Sequence, residues 1–156
     1  MNNKGYLLIE YIVSITIIAF IGTFLVNSYF LAKNIMINVY DKREIMSQAL
    51  EISDYIDKLI ANSKGIISID DNFIKLKYKE YDFDEDKVII FRDTTQKVAV
   101  NNLYMDGSTK PGGYEIGAYV YDFDASFDGQ IIDITLKLKK GNSTYETEFS
   151  TYIMNS

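Results

Sequence analysis

The chain has 156 residues, a formal net charge of -6 and a pI near 4.6, a length that fits one domain plus an appendage. The acidic balance argues against a phosphate-backbone ligand, which needs clustered Lys and Arg, so we expect no direct nucleic acid binding. The absence of Cys and His excludes thiol catalysis, disulfides, Ser-His-Asp chemistry and His- or Cys-ligated metals.

The first predicted element is a membrane-spanning helix. Residues 11–32 carry no charge, and about 22 residues at ~1.5 Å each are long enough to cross a bilayer core. A cleaved secretory signal would have a shorter apolar region of about 7–15 residues. Lys4 precedes the segment, so the positive-inside preference places the amino terminus in the cytoplasm and the rest outside. Lys33, Lys42 and Arg43, on the far side, weigh against that orientation.

One acid, Glu10, interrupts the apolar stretch near its start. A carboxylate at the centre of a spanning helix costs about 2.5–3.5 kcal/mol on insertion scales, and such residues are usually functional. The alternative is an interfacial Glu whose side chain reaches back to the cytoplasmic headgroups.

The helical pattern continues beyond the membrane segment, because no Pro or Gly occurs in residues 23–64. Its distal half repeats apolar residues at spacings of four and three, which indicates a face that packs on a core. These residues are Ile45, Ala49, Ile52, Ile56 and Leu59. The sequence therefore predicts one helix to about residue 61, with a membrane and assembly half at 6–32 and an amphipathic half at 33–64. Asn62-Ser63-Lys64-Gly65 is the predicted stop, with Gly65 able to take the left-handed conformation.

From residue 65 the period changes to two, which predicts an antiparallel β domain over 65–156. The segment "FIKLKYKE" places Ile74, Leu76 and Tyr78 on one face and Lys75, Lys77 and Lys79 on the other, a solvated face in preference to a basic binding stripe. The segments "KVIIFR" and "QKVAVNNLY" read as further strands, and the polar loop 105–113 is a candidate contact surface.

The last part of the chain reads as hairpins. Asp128-Gly129 is a two-residue turn signal between "YEIGAYVYDFDASF" and "QIIDITLKLKK", and Gly141-Asn142 joins the latter to "STYETEFSTYIM". The predicted fold class is therefore α+β, with a long amino-terminal helix packed on a carboxyl-terminal antiparallel sheet.

Two acidic clusters are candidate calcium sites. The first contains Asp82, Asp84, Glu85 and Asp86, and the second contains Asp124, Ser126, Asp128 and Gly129. The second resembles the start of a calcium loop but has Thr135 where the twelfth-position acid belongs and Ile132 at a ligand position. A hairpin turn and solvated loops explain the clusters better, so we expect no metal and no cofactor.

The amino-terminal features combine into a known pattern: a short basic leader with Lys4, then Gly5, then Glu10 five residues later in an uninterrupted apolar helix that precedes an extracellular β domain. This resembles a type IV prepilin or pseudopilin. The resemblance implies that residues 1–5 are a leader, that a membrane prepilin peptidase cuts after Gly5, that the new amino terminus at Tyr6 is methylated, and that Glu10 serves filament assembly. Tyr6 departs from the Phe that is usual in the family.

The ending "IIDITLKLKKGNSTYETEFSTYIMNS" looks like the final hairpin of J-type minor pseudopilins, their pilus counterparts and the related competence pseudopilin, with Asn155 near the end of the last strand. These low-abundance subunits are thought to form the initiating tip of the filament. The implied partners are other pilin subunits, the prepilin peptidase, the cytoplasmic membrane and the pilus assembly platform. The implied location is a single-pass membrane protein with its carboxyl-terminal domain outside, and then an extracellular pilus or pseudopilus.

Other functions stay open at this point. A major pilin fits the same residues, and a signal-anchored extracellular binding protein would keep its amino terminus uncut. An anchored enzyme would need a carboxylate pair or a Ser-Lys site, which nothing in the loops singles out, so we expect no enzymatic activity. The sequence does not separate an adhesion or motility pilus, a DNA-uptake pilus and a secretion pseudopilus.

Overall fold

The computed structural model describes residues 3–70, 72–78, 86–104, 108–110 and 112–153. The helix is α1 (Asn3–Ala61), and the strands are β1 (Gly65–Asp70), β2 (Phe73–Lys77), β3 (Lys87–Arg92), β4 (Lys97–Asn102), β5 (Tyr114–Ala118), β6 (Val120–Phe127), β7 (Ile131–Lys140) and β8 (Ser143–Tyr152), with a short 3-10 turn at Asp93–Thr95. The chain divides into two compact units, Met1–Tyr40 and Asp41–Ser156. We call the second unit the head.

The first unit is a helical segment whose large apolar side chains are all exposed from Tyr6 onward. Three of its hydroxyl groups are satisfied within the helix: Ser14, Thr16 and Thr23 each donate to the carbonyl four residues earlier at 2.8 Å. This internal bonding suits an apolar environment, because these three donors then do not depend on water.

The head is built on the distal part of α1. All five residues of the predicted apolar stripe are buried, and Ile60 joins them. This confirms the packing face that the spacing of four and three predicts. The opposite face of the helix is open, with Leu50 65% exposed.

The helix ends at Ala61, close to the predicted stop, and the hydrogen bonds at its end come from Ser63. The Ser63 hydroxyl and the Ser63 N–H both donate to the Ile60 carbonyl, at 2.7 and 3.0 Å. These bonds occupy a carbonyl that the last turn leaves free. Gly65 has φ +148°, a value that favours glycine but lies far from the left-handed helical region, and it opens β1. The predicted stop at residues 62–65 is thus correct in position, while the positive φ of Gly65 opens β1 and Ser63 supplies the bonds at the helix end.

Two antiparallel sheets cover the helix stripe. The first has five strands in the order β1-β2-β3-β4-β5, and the second has three in the order β6-β7-β8. Both follow chain order, which confirms the predicted meander and the α+β fold class. One continuous core contains the stripe together with inward residues of both sheets, among them Ile74, Leu76, Ile89, Val98, Phe123, Ile134, Leu136 and Leu138.

The segment 114–127 divides into β5 and β6 at Tyr119. This residue has φ +67°, a left-handed conformation that is rare for an aromatic side chain and ends the strand geometry. The chain then leaves the first sheet, and Val120 donates to the Gln96 carbonyl at 3.1 Å while Lys139 donates to the Tyr119 carbonyl at 2.8 Å. A single local conformation therefore separates the two sheets.

The two predicted hairpin turns differ in outcome. Lys140 pairs with Ser143, so Gly141-Asn142 forms a two-residue turn as predicted. Phe127 pairs with Ile132, which makes Gly129-Gln130 the central residues of the other turn, one position later than predicted. The Asp128 carboxylate causes the shift, because it accepts the N–H groups of Gln130 and Ile131 at 3.1 and 2.9 Å and so fixes Asp128 as the first residue of the turn.

Because the core of the head consists of residues from 45 onward, we expect a fragment of residues 34–156 to fold without the membrane segment. The expected product is soluble, monomeric or weakly associating, and shows both helix and sheet by circular dichroism. A disordered or obligately aggregated fragment would contradict this expectation and would indicate that the sheets need partner subunits.

Candidate functional site

The residues singled out by the leader pattern lie in the first turns of α1. Gly5, Tyr6 and Glu10 are all within the helix, and Tyr6 and Glu10 are four residues apart, which places them on one helix face. Tyr6 is 75% exposed, and Glu10 is exposed as well. The backbone carbonyl of Glu10 accepts the Ser14 hydroxyl, while its carboxylate makes no hydrogen bond or ion pair with any described residue. That carboxylate is thus available to a cation outside the described part of the chain.

The surroundings of Glu10 are apolar. The part of α1 that surrounds it is apolar and exposed. Among the described residues this is the one helix long and apolar enough to cross a membrane, which suits a membrane anchor or a signal sequence. Once such a surface is covered by lipid or by other helices, the local dielectric falls and an unpaired carboxylate becomes costly.

A second polar group, which we call the clamp, lies within the head and joins the helix to β7 and to Tyr119, the residue between β5 and β6. The clamp consists of Asp41, Glu44, Tyr119 and Lys140. The Tyr119 hydroxyl donates to Glu44 at 2.8 Å, and the Lys140 ammonium lies 2.5 Å from the same carboxylate and 3.7 Å from Asp41. Lys140 also lies over the Tyr119 ring, 5.0 Å from its centroid. Sequence reasoning missed this group, because Lys140 lies 96 positions from Glu44 and no local pattern marks its members.

The clamp shifts the titration of its members. The hydrogen bonds from Lys140 and Tyr119 lower the pKa of Glu44 below its ordinary value of 4.5. The same bond to Glu44 raises the pKa of Lys140 above 10.5. A carboxylate whose pKa is lowered in the folded state stabilises the fold at pH values above its pKa in the unfolded state. An ammonium whose pKa is raised in the folded state stabilises the fold at pH values below its pKa in the unfolded state. The clamp is therefore fully charged and stabilising between about pH 5 and pH 10.

We accordingly expect the midpoint of thermal unfolding of Lys140→Met to lie below that of the wild type by a constant amount from pH 6 to pH 9. The difference should shrink below pH 4.5, as Glu44 becomes protonated in the folded wild type and the pair is lost there too. Because these side chains are partly solvated, the expected difference is a few degrees at most. Lys139→Met, a neighbouring exposed lysine, is the matched control. A difference that persists unchanged to pH 3 would contradict the role of the ion pair.

The acidic clusters have separate outcomes. Asp82, Asp84 and Glu85 lie outside the described residues, as do Lys79, Asn155 and part of the 105–113 loop. In the second cluster the Asp128 carboxylate is used by the turn, whose N–H groups lower its pKa. Across the described ranges, no three acidic side chains are grouped so that they could hold a metal ion.

The lysine side of β2 faces away from the core. Ile74 and Leu76 are buried, whereas Lys77 is exposed and Lys75 is half-buried over the ring of Phe73, 5.3 Å from its centroid. This agrees with a solvated face.

Comparison of the chain with models of protein families, with curated proteins and with solved structures finds no match. A long apolar amino-terminal helix followed by antiparallel sheets is consistent with a pilin-like architecture.

Proposed function

We propose that the protein is a pilin-like subunit, a minor pilin or pseudopilin that is cut after Gly5, methylated at Tyr6 and assembled from the membrane into a type IV pilus-like filament. The observation that carries the proposal is the continuous α1. It begins next to the expected cleavage position, runs through a fully exposed apolar segment with Glu10 as its one acid, and ends as a buried element of a folded head. An exposed apolar helix of this length needs lipid or other helices to cover it, and a subunit that moves from membrane to filament uses both.

The chemistry of Glu10 supports the same proposal. Cleavage after Gly5 would create a positive amine on Tyr6, which lies on the helix face of Glu10. In an apolar bundle that amine, from the same or a neighbouring subunit, offers the carboxylate an ion-pair partner and offsets part of the cost of burying it. Glu10 would then stabilise only those packings that bring it to an amine, as a polar residue sets register in a coiled-coil seam.

The cleavage step is tested by the mass of the amino-terminal peptide from protein extracted from membranes with active prepilin peptidase. The expected mature chain starts at methylated Tyr6, and loss of Lys4 changes the formal charge from -6 to -7. Gly5→Val should block cutting, because a subsite that accepts only hydrogen cannot hold a branched side chain. The matched control is Gly22→Val, where an added Cβ meets no atom within 4 Å, and this variant should be cut normally.

An intact Met1–Gly5 segment on the wild-type protein would contradict the proposal and favour a signal-anchored extracellular binding protein. Cutting of Gly5→Val at the wild-type rate would contradict the assignment of the cleavage position.

A further inference from the structure

Two tyrosines of the head meet at the surface between α1 and the first sheet. The hydroxyl groups of Tyr55 on α1 and Tyr114 on β5 lie 2.5 Å apart, although the residues are 59 positions apart in the chain. Their rings are in edge-to-face contact, with centroids 5.9 Å apart and planes at 80°. Tyr55 is 36% exposed and Tyr114 is 44% exposed. The two phenol groups therefore face each other within reach of a soluble reagent.

The pairing of β5 with β4 fixes the position of Tyr114. Tyr114 pairs with Val100 and Gly117 pairs with Val98, and both valines are buried in the core. Side chains directly opposite each other in a sheet lie on the same face, so Tyr114 and Gly117 are on the core side of β5. A register shift between the two pairs, of the kind that a bulge produces, allows residues three positions apart to share that side. Tyr114 is therefore positioned by a paired strand.

The helix brings Tyr55 to the same line of contact. Ile52 and Tyr55 are three residues apart on α1 and share a helix face. Ile52 is fully buried against Gly117, where an added Cβ would lie 2.2 Å from its side chain. The contact between Tyr55 and Tyr114 continues this packing to the surface of the head. Because packed elements hold both residues, a reaction between the two phenols would have the advantage of a fixed, intramolecular geometry.

We propose that Tyr55 and Tyr114 form a site of oxidative modification, at which a haem peroxidase with hydrogen peroxide joins α1 to β5 through dityrosine. In dityrosine a carbon–carbon bond joins the ring carbons adjacent to the two hydroxyl-bearing carbons, so the hydroxyl groups lie side by side. The hydroxyl groups of this pair already have that arrangement. Rotation of the exposed rings then brings the reacting carbons from van der Waals contact to bonding distance. The inference goes beyond the proposed function and does not depend on it, because both residues belong to the head.

The reaction removes one electron and one proton from each phenol. The two phenoxyl radicals couple through their ortho carbons, which forms the new carbon–carbon bond. Each of these carbons then gives up its hydrogen as a proton, and each ring oxygen takes up a proton, which restores the two phenols. Hydrogen peroxide accepts two electrons and two protons and becomes two molecules of water. The protein therefore loses two hydrogen atoms in total.

A bond at this place would constrain the chain as a disulfide does, a constraint that the absence of Cys otherwise excludes. It would tie α1 to β5, an edge strand of the first sheet, across a loop that contains β1 to β4. Closure of a long loop lowers the entropy of the unfolded chain. We expect the cross-linked protein to have a midpoint of thermal unfolding roughly 5–15 °C above that of the untreated protein.

The test is oxidation of the full-length protein in detergent with hydrogen peroxide and a haem peroxidase, followed by isolation of the monomer. The expected product shows dityrosine fluorescence and a linked pair of peptides, containing Tyr55 and Tyr114, with the loss of two hydrogens by mass spectrometry. Tyr55→Phe and Tyr114→Phe should each lower the yield of dityrosine in the monomer by roughly tenfold or more. Tyr152→Phe is the matched control and should leave the yield unchanged, because Tyr152 is 66% exposed but has no ring contact with another described residue.

Oxidised wild-type monomer in which other tyrosines have reacted while Tyr55 and Tyr114 remain unlinked would overturn the proposal, and this result requires no variant. Equal losses of dityrosine in Tyr55→Phe and Tyr152→Phe would also overturn it, since random oxidation follows exposure alone. A rise in the midpoint of thermal unfolding that oxidation causes in the wild type but not in Tyr114→Phe would support the link between α1 and β5.

Discussion

Replacement of Glu10 with leucine is expected to remove the protein from assembled filaments while leaving membrane insertion and cleavage after Gly5 intact. Insertion should improve, because the penalty of about 2.5–3.5 kcal/mol for a carboxylate in the spanning segment disappears. Cleavage should persist, because the substitution lies five residues from Gly5. What is lost is the partner for the Tyr6 amine, and with it the register of helix against helix.

The measurement is co-purification of the tagged variant with sheared filaments and with partner pilins. Tyr11→Leu is the matched control, since it changes the adjacent exposed residue without altering charge and should assemble normally. Glu10→Gln separates charge from hydrogen bonding and should also fail, because an amide cannot neutralise the amine. Normal filament numbers and normal partner recovery for Glu10→Leu would exclude the register role and favour the interfacial alternative, in which Glu10 reaches the headgroups.

The parts of the fold that the sequence predicts are those with a local period. The stripe from Ile45 to Leu59 can be recognised in the sequence because a helix returns to the same face every three or four residues. All five of its apolar residues are buried in the structure. Alternation in β2 likewise identifies Ile74 and Leu76 as inward residues. In each case the environment of a residue follows from its position within one element.

The parts that the sequence does not predict depend on contacts between distant segments. The division at Tyr119 requires an unfavourable backbone conformation, which its own sequence context disfavours and the tertiary contacts of Glu44 and Lys140 hold in place. Strand β1 lies within the predicted β domain but was not identified as a separate strand, and its bulge between Ile66 and Ser68, which shifts the register, depends on its pairing with β2. The position of the 128–131 turn was set by one side chain, Asp128, and not by the usual dipeptide preference.

The candidate site could be predicted from the sequence only in part. Gly5, Tyr6 and Glu10 are recognisable from their spacing, and α1 places Tyr6 and Glu10 on one face. The Glu10 carboxylate, in contrast, has no hydrogen bond or ion pair with the described residues of this chain. Under the proposed function its partner belongs to another subunit, so its contribution to stability depends on a chain that this sequence does not specify.

A tight contact between α1 and β5 of the first sheet gives large expected effects on stability. A Cβ added at Gly117 on β5 would lie 2.2 Å from both Cγ1 and Cδ1 of Ile52, which is fully buried. Nearby, the Gln48 side chain accepts the Ala118 N–H at 3.3 Å, so the strand is held against the helix at this point. The absence of a side chain at Gly117 is therefore what lets the helix approach.

We expect Ile52→Ala to lower the free energy of unfolding of the 34–156 fragment by about 2–5 kcal/mol, as is usual for such truncations in a core. Gly117→Ala should lower it by about 1–3 kcal/mol through overpacking. Leu50→Ala, on the exposed face of the same helix, is the matched control and should stay within about 0.5 kcal/mol of the wild type. Against a total of about 5–15 kcal/mol, the first change alone removes a large fraction of the stability.

The double variant Ile52→Ala with Gly117→Ala tests the contact itself. Truncation of Ile52 removes the atoms that the new methyl group would strike, and that methyl group in turn occupies part of the cavity. The loss of unfolding free energy, measured by urea denaturation, should therefore be smaller than the sum of the two single losses by about 0.5–3 kcal/mol, as for residues in direct contact. Simple additivity of the two losses would show that Gly117 does not meet Ile52, and that the approach of α1 to β5 is looser than the structure indicates.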